Sequence, residues 1–140
     1  MIWKIQPSLD GINTLSKNTL VAHLGIVFTE VGDDYLKATM PVNEQTKQPY
    51  GVLHGGASAV LAESMGSYAS SMCIDDPFTT PGYGIELSVS HVKSAQSGLV
   101  TGIVKPIRVG RTLHVWEIKI SNEAEELICI SRLTVMIKRS

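Results

Sequence analysis

The run from about Gly55 to Met72 constrains this chain most. Small residues dominate it: Gly55, Gly56, Ala57, Ser58, Ala59, Ala62, Ser64, Gly66, Ser67, Ala69, Ser70 and Ser71. A helix of such residues can be approached closely from every side, because side-chain size sets the distance between packed elements. It is therefore expected at the centre of the molecule, enclosed. After the loop Pro77 to Gly82 come four strand patterns, about Gly84–Val92, Leu99–Val109, Leu113–Ser121 and Leu127–Ile137, with no helix between them. Gly98, Gly110-Arg111 and Asn122–Glu126 mark the turns.

Upstream, Leu9, Ile12 and Leu15 recur at helical spacing behind a Ser8 cap. Gly25 to Val31 and Tyr35 to Val42 read as a hairpin around Gly32-Asp33-Asp34, with Leu36, Ala38, Met40 and Val42 on one buried face. The order of hairpin, buried helix and four-stranded meander gives an α+β chain with one curved antiparallel sheet wrapped around the helix. An open edge strand invites pairing with a second copy, so a dimer is expected.

With 140 residues the chain is read as one domain. A formal charge of −1 supplies no clustered positive excess for nucleic acid or an anionic membrane. Cys73 and Cys129 lie in apolar surroundings without metal-ligand spacing, and are read as reduced core thiols. His23, His91 and His114 share no ligand spacing either, so no metal site is expected. The N-terminal Met1–Pro7 segment has no apolar stretch of signal-peptide type, and no run is long enough to span a bilayer. A cytoplasmic location follows as an expectation.

The chemistry concentrates at Gln48-Pro49-Tyr50-Gly51-Val52-Leu53-His54-Gly55-Gly56. A loop ending in His-Gly-Gly presents bare N–H groups at a helix start, where aligned dipoles favour negative charge. Glu63 follows two turns later among Val60, Leu61, Ala62 and Met65, an unfavourable setting for a charge without a task. Carboxylate plus oxyanion site points to acyl transfer. His54 is either a group that aligns a thioester or a simple helix cap. Ser67 shares a helix face with Glu63, and its hydroxyl can bond the carboxylate or a water, or can merely permit packing. Gln48 is a further candidate for holding water or the acyl carbonyl.

The combination of Gln48, Leu53-His54-Gly55-Gly56-Ala57, Ala62-Glu63-Ser64 and Ser67 resembles the hot-dog-fold acyl-CoA thioesterases of the 4-hydroxybenzoyl-CoA and phenylacetate-pathway type. The likeness extends over nearly the whole chain, including Thr46-Lys47-Gln48-Pro49, Ser90-His91-Val92-Lys93-Ser94-Ala95 and Val115-Trp116-Glu117-Ile118. It is greatest to the enterobacterial 1,4-dihydroxy-2-naphthoyl-CoA thioesterases of menaquinone synthesis. The resemblance implies a tetramer of hot-dog dimers with the site at the subunit interface. Glu63 and Ser67 would come from one chain, and Gln48, His54 and Gly55 from its partner. No cofactor is implied, since a thiolate leaves readily without a strong acid or a metal.

Coenzyme A carries a 3′-phosphate and a pyrophosphate, and Lys93, Arg108 and Arg111 are the candidate cations for them. By the same resemblance, the His91–Lys93 segment and the Gly110-Arg111 turn lie near the nucleotide. Relatives often carry Arg where Lys93 stands, and Lys lacks the bidentate fork. The acyl pocket is expected from Val52, Leu53, Val60, Met65 and Tyr68. Three rivals share these features: a proofreading thioesterase acting on aryl carrier proteins, a hot-dog dehydratase, and a non-catalytic acyl-CoA sensor.

Overall fold

A computed structural model describes residues 1–139. Nine elements run in the order α1 (Leu9–Leu15), α2 (Leu20–His23), β1 (Val27–Val31), β2 (Leu36–Pro41), α3 (Gly55–Met72), β3 (Gly82–His91), β4 (Leu99–Val109), β5 (Leu113–Ser121) and β6 (Leu127–Ile137). Ser8 caps α1 as its residue type demands, accepting the Gly11 N–H at 3.2 Å. The short α2 was not visible as a pattern, because four residues give no periodicity to read.

All six strands form one antiparallel sheet in the order β1-β2-β4-β5-β6-β3. This corrects the expected four-stranded meander. Only β4, β5 and β6 run in sequence, whereas β3 pairs with β6 at the far edge and the chain then crosses to reach β4. Nearest neighbours in the chain were the natural guess. Helix α3, packed against strands β2 to β6, instead delivers the chain to the other edge. Strand limits shift by two residues at β1 and β3, as usual at element ends.

The sheet closes on α3 from one side. Leu61, Ala62, Met65 and Ala69 are fully buried against Leu36, Met40, Trp116, Ile118 and Leu133. Gly66 is required here, since a Cβ would stand 2.5 Å from Leu133 Cδ2. One polar cluster lies inside this interface. Ser70 Oγ on α3 accepts the Trp116 indole N–H at 2.6 Å and lies 3.0 Å from His114 Nδ1, both from β5. Burial holds the His114 pKa below the ordinary histidine value, opposed by a hydrogen bond with the Gly110 backbone. Cys73 and Cys129 are buried and unpaired, and burial pushes the Cys73 thiol up to about 11. Among the described residues no helix is long and apolar enough to cross a membrane, and no cluster of His, Cys, Asp or Glu has metal-binding geometry.

Candidate active site

The loop before α3 is pinned before it reaches the helix. Gln48 N–H donates to the Val52 carbonyl and Gly51 N–H to the Gln48 carbonyl, each at 2.9 Å, while Gln48 Oε1 accepts the Tyr50 N–H. Gly51 turns the chain at φ +84°, a conformation natural only to glycine. Leu53 N–H then donates to Ala95 at 2.8 Å and His54 N–H to Thr46 at 2.7 Å, fixing the helix entrance against two other segments.

His54 is the N-cap of α3. Its Nδ1 accepts the Gly56 N–H at 2.7 Å, and its carbonyl accepts from Ala57 and Ser58 at 3.0 and 3.3 Å. An accepting Nδ1 leaves the proton of the neutral ring on Nε2. The helix-cap reading of this histidine is therefore realised, and it has a consequence. With the Gly56 donor occupied, the Gly55 N–H is left without a partner among the described residues.

Gly55 lines a cleft of about 360 Å³ together with Gln48, Val52, Leu53, His91 and Lys93. Six of the sequence candidates thus meet in one cavity. Ser58, read from the sequence only as a small packing residue, and Ser94 add hydroxyl-bearing residues to the lining. The His91 ring, at the end of β3, lies directly over the helix start, for a Cβ on Gly55 would stand 2.7 Å from its Nε2.

Glu63 lies elsewhere. Eight residues beyond Gly55 on the same helix, it is displaced by about 12 Å along the axis at 1.5 Å per residue. In the single chain Glu63 is exposed, although its helix neighbours Val60, Leu61, Ala62 and Met65 are apolar. The reason is β3, an edge strand that leaves the carboxylate against Gly84, where an added Cβ would be 3.0 Å from Oε2. Gly84 is the position the sequence reading missed. A lone glycine within a strand pattern was the available sign of close approach. Ser67 follows one turn after Glu63 and is half-buried.

Other candidates separate. His54 and Val60 line a second cleft of about 240 Å³ with Leu24 and Thr46. Met65 is fully buried beneath the sheet at Gly102, so it cannot line an open pocket in this chain. Tyr68 packs against Phe28 with ring centroids 5.6 Å apart and planes tilted by 47°, and burial raises its phenol pKa. Lys93 Nζ is paired with Glu126 Oε2 at 2.8 Å, and that hydrogen bond holds the Glu126 carboxyl below the usual range. Arg108 and Arg111 sit at the other end of the sheet. The Gly110–Thr112 turn adjoins Ile137, opposite Gly82, whereas Lys93 follows His91, opposite Cys129. At 3.3 Å per residue the separation is about 30 Å. Within one copy the three cations cannot meet one phosphate group.

The family model described as the thioesterase superfamily matches residues 50–129, which carry the His54-Gly55 corner, Glu63 and most of the sheet. The chain belongs to the thioesterase superfamily. It is 46% identical over 137 residues to the 1,4-dihydroxy-2-naphthoyl-CoA hydrolase of Escherichia coli, covering 98% of this chain and 99% of that one. It is equally 46% identical, over 137 residues and 98% of each chain, to the proofreading thioesterase EntH of Cronobacter sakazakii. A crystal structure of a Haemophilus influenzae thioesterase superposes with a TM-score of 0.95 at 42% identity, covering 99% of this chain and 96% of that one. A glutamine-to-alanine mutant thioesterase from Pseudomonas aeruginosa gives 0.94 at 41% identity, covering 98% of each.

This thioesterase therefore has the hot-dog fold, a six-stranded antiparallel sheet around one central helix, and is a thioester hydrolase. Chemically, the free Gly55 N–H at a helix start can stabilise an oxyanion, and the Glu63 carboxylate can attack or take a proton.

Proposed function

We propose that this thioesterase, as a single hot-dog domain over residues 1–140, hydrolyses aryl-CoA thioesters to free acid and coenzyme A. The substrate class is 1,4-dihydroxy-2-naphthoyl-CoA or a similar aromatic thioester, with medium-chain acyl-CoAs accepted as well. One observation carries the reading: the unpaired Gly55 N–H and the exposed Glu63 carboxylate occupy one helix about two turns apart, too far to act on one carbonyl. A second copy, related by a two-fold axis, brings the Glu63 of each chain to the Gly55 of the other.

The edge strand β3 supports this arrangement. Tyr83 and Ile85 on it are more than half exposed, an apolar surface on an unpaired edge. Two such dimers form the proposed cytoplasmic homotetramer.

In the reaction, the thioester carbonyl accepts the Gly55 N–H, with His54 and His91 flanking the helix start. Glu63 either removes a proton from the attacking water or adds to the carbonyl itself. In the first route, collapse of the tetrahedral adduct releases the coenzyme A thiolate and the acid. In the second, thiolate leaves first and water then cleaves the acyl anhydride, returning the Glu63 carboxylate. Gln48 and Ser67 position water and carboxylate.

Equal identity to the proofreading thioesterase EntH supports a second reading, in which an aryl carrier protein delivers the thioester. Thiol release from a panel of aryl-CoA, medium-chain acyl-CoA and aryl carrier protein substrates decides between them. The proposal expects the highest kcat/KM on an aryl-CoA, and a higher value on the carrier protein overturns it in favour of the second reading. Glu63→Ala should keep its fold and bind coenzyme A while losing at least about 100-fold in kcat. Retained turnover in that variant removes Glu63 from the reaction.

A further inference from the structure

A groove of about 410 Å³ adjoins the Gly55 cleft, running from Lys93 and Ser94 to the turn that joins β5 to β6. That turn is internally built. Asn122 Oδ1 accepts the Ala124 and Glu126 N–H groups at 3.0 and 2.9 Å, and Asn122 Nδ2 donates to Glu126 Oε1 at 3.0 Å. The other carboxylate oxygen, Oε2, is thereby aimed at Lys93 Nζ, 2.8 Å away. Among the described residues Lys93 is the one Lys or Arg lining either cavity, whereas the turn carries three carboxylates, Glu123, Glu125 and Glu126.

Lys93 is thus not a free phosphate receptor. We propose that Glu126 is a specificity-determining residue, a built-in counter-anion that a phosphate group must displace from Lys93 before the cleft can bind a phosphorylated thioester. The inference rests on the reading of coenzyme A thioesters as substrates and deepens it. Both partners of the pair are about half exposed, at 50% and 49%, so the contact is weak enough to open. A phosphate competes well for an ammonium, because it carries more negative charge than a carboxylate and accepts charge-assisted hydrogen bonds equally well. While closed, the pair presents a near-neutral site beside Glu123, which lines the adjoining groove, and so disfavours ligands in proportion to their phosphate charge. Phosphate-free thiols of the same arm are unaffected.

Calorimetric binding of coenzyme A and of pantetheine, which lacks every phosphate, tests this on four proteins: wild type, E126Q, K93Q and the double variant of K93Q with E126Q. Glutamine keeps an oxygen to accept from Asn122, so the turn is preserved. The expected result is coenzyme A binding tightened by about two- to fivefold in E126Q, the range of an exposed ion pair, with pantetheine unchanged. The gain should vanish in the K93Q background, since the effect acts through that ammonium. No tightening, equal tightening for both ligands, or a gain that persists without Lys93 overturns the proposal. Binding is read without turnover, so an enzyme that hydrolyses no acyl-CoA yet shows the E126Q gain would defeat the substrate assignment alone.

Discussion

At the scale of single residues, two glycines shape the proposed site, and for different reasons. Gly55 contributes an N–H, and its position is the first of the helix, preceded by a cap with φ −68° and ψ 131°. Those angles suit a residue before proline, and proline is tolerated at the first helical position. Gly55→Pro therefore deletes the donor at a position where the helix start tolerates proline, with the His91 ring obliged to move from the new Cβ. We expect a loss of about 100- to 1,000-fold in kcat with the melting temperature nearly unchanged. Equal kinetics for both proteins would exclude the Gly55 N–H from the reaction. Gly84 contributes empty space. In Gly84→Ala the new Cβ presses on the Glu63 carboxylate at 3.0 Å, so kcat should fall about tenfold while coenzyme A affinity stays constant. A variant that instead loses affinity would show that Gly84 shapes the binding cleft.

Residue type pointed to Gln48 and Gly55, and the family resemblance to His91 and Lys93; all four line one cleft. The setting of Glu63 was not legible. Its helix neighbours are apolar, but the exposure of its carboxylate depends on an edge strand distant in sequence, which no local pattern reveals.

Among the elements, α3 was the most readable, from its start behind His54 to its end at Met72. The sheet order was not, because β3 and β4 are consecutive in the chain yet stand at different places in the sheet. Pairing partners far apart in sequence are chosen by tertiary packing. The buried cluster of Ser70, His114 and Trp116 fastens α3 to β5, and it carries a pH dependence. Burial lowers the His114 pKa, so the unfolded chain binds the proton more readily than the folded one. The stabilisation is complete above the ordinary histidine value of 6.5 and is lost as pH falls below it. Thermal unfolding followed from pH 8 to about pH 5 should show a falling melting temperature, with a shallower slope in His114→Gln. An identical slope in that variant would assign the acid sensitivity to other groups.

For the whole molecule, the proposed function depends on association. The central helix places Gly55 at one end and Glu63 near the free edge of the sheet, and in the proposed dimer the second copy closes that gap. Ile85→Lys, which puts a charge on the exposed apolar part of β3, should shift sedimentation toward the monomer and abolish turnover in parallel. A fully active monomer would show that each copy works alone.

The most direct test mixes two inactive proteins. Glu63→Ala chains lack the carboxylate and Gly55→Pro chains lack the oxyanion donor. A site shared between copies is intact in one of the two positions of a mixed dimer. Refolding the two variants together should restore about one quarter of the wild-type turnover, half the dimers being mixed and half of their sites complete. Mixed dimers that form but remain as inactive as their parents would contradict a site assembled from two chains.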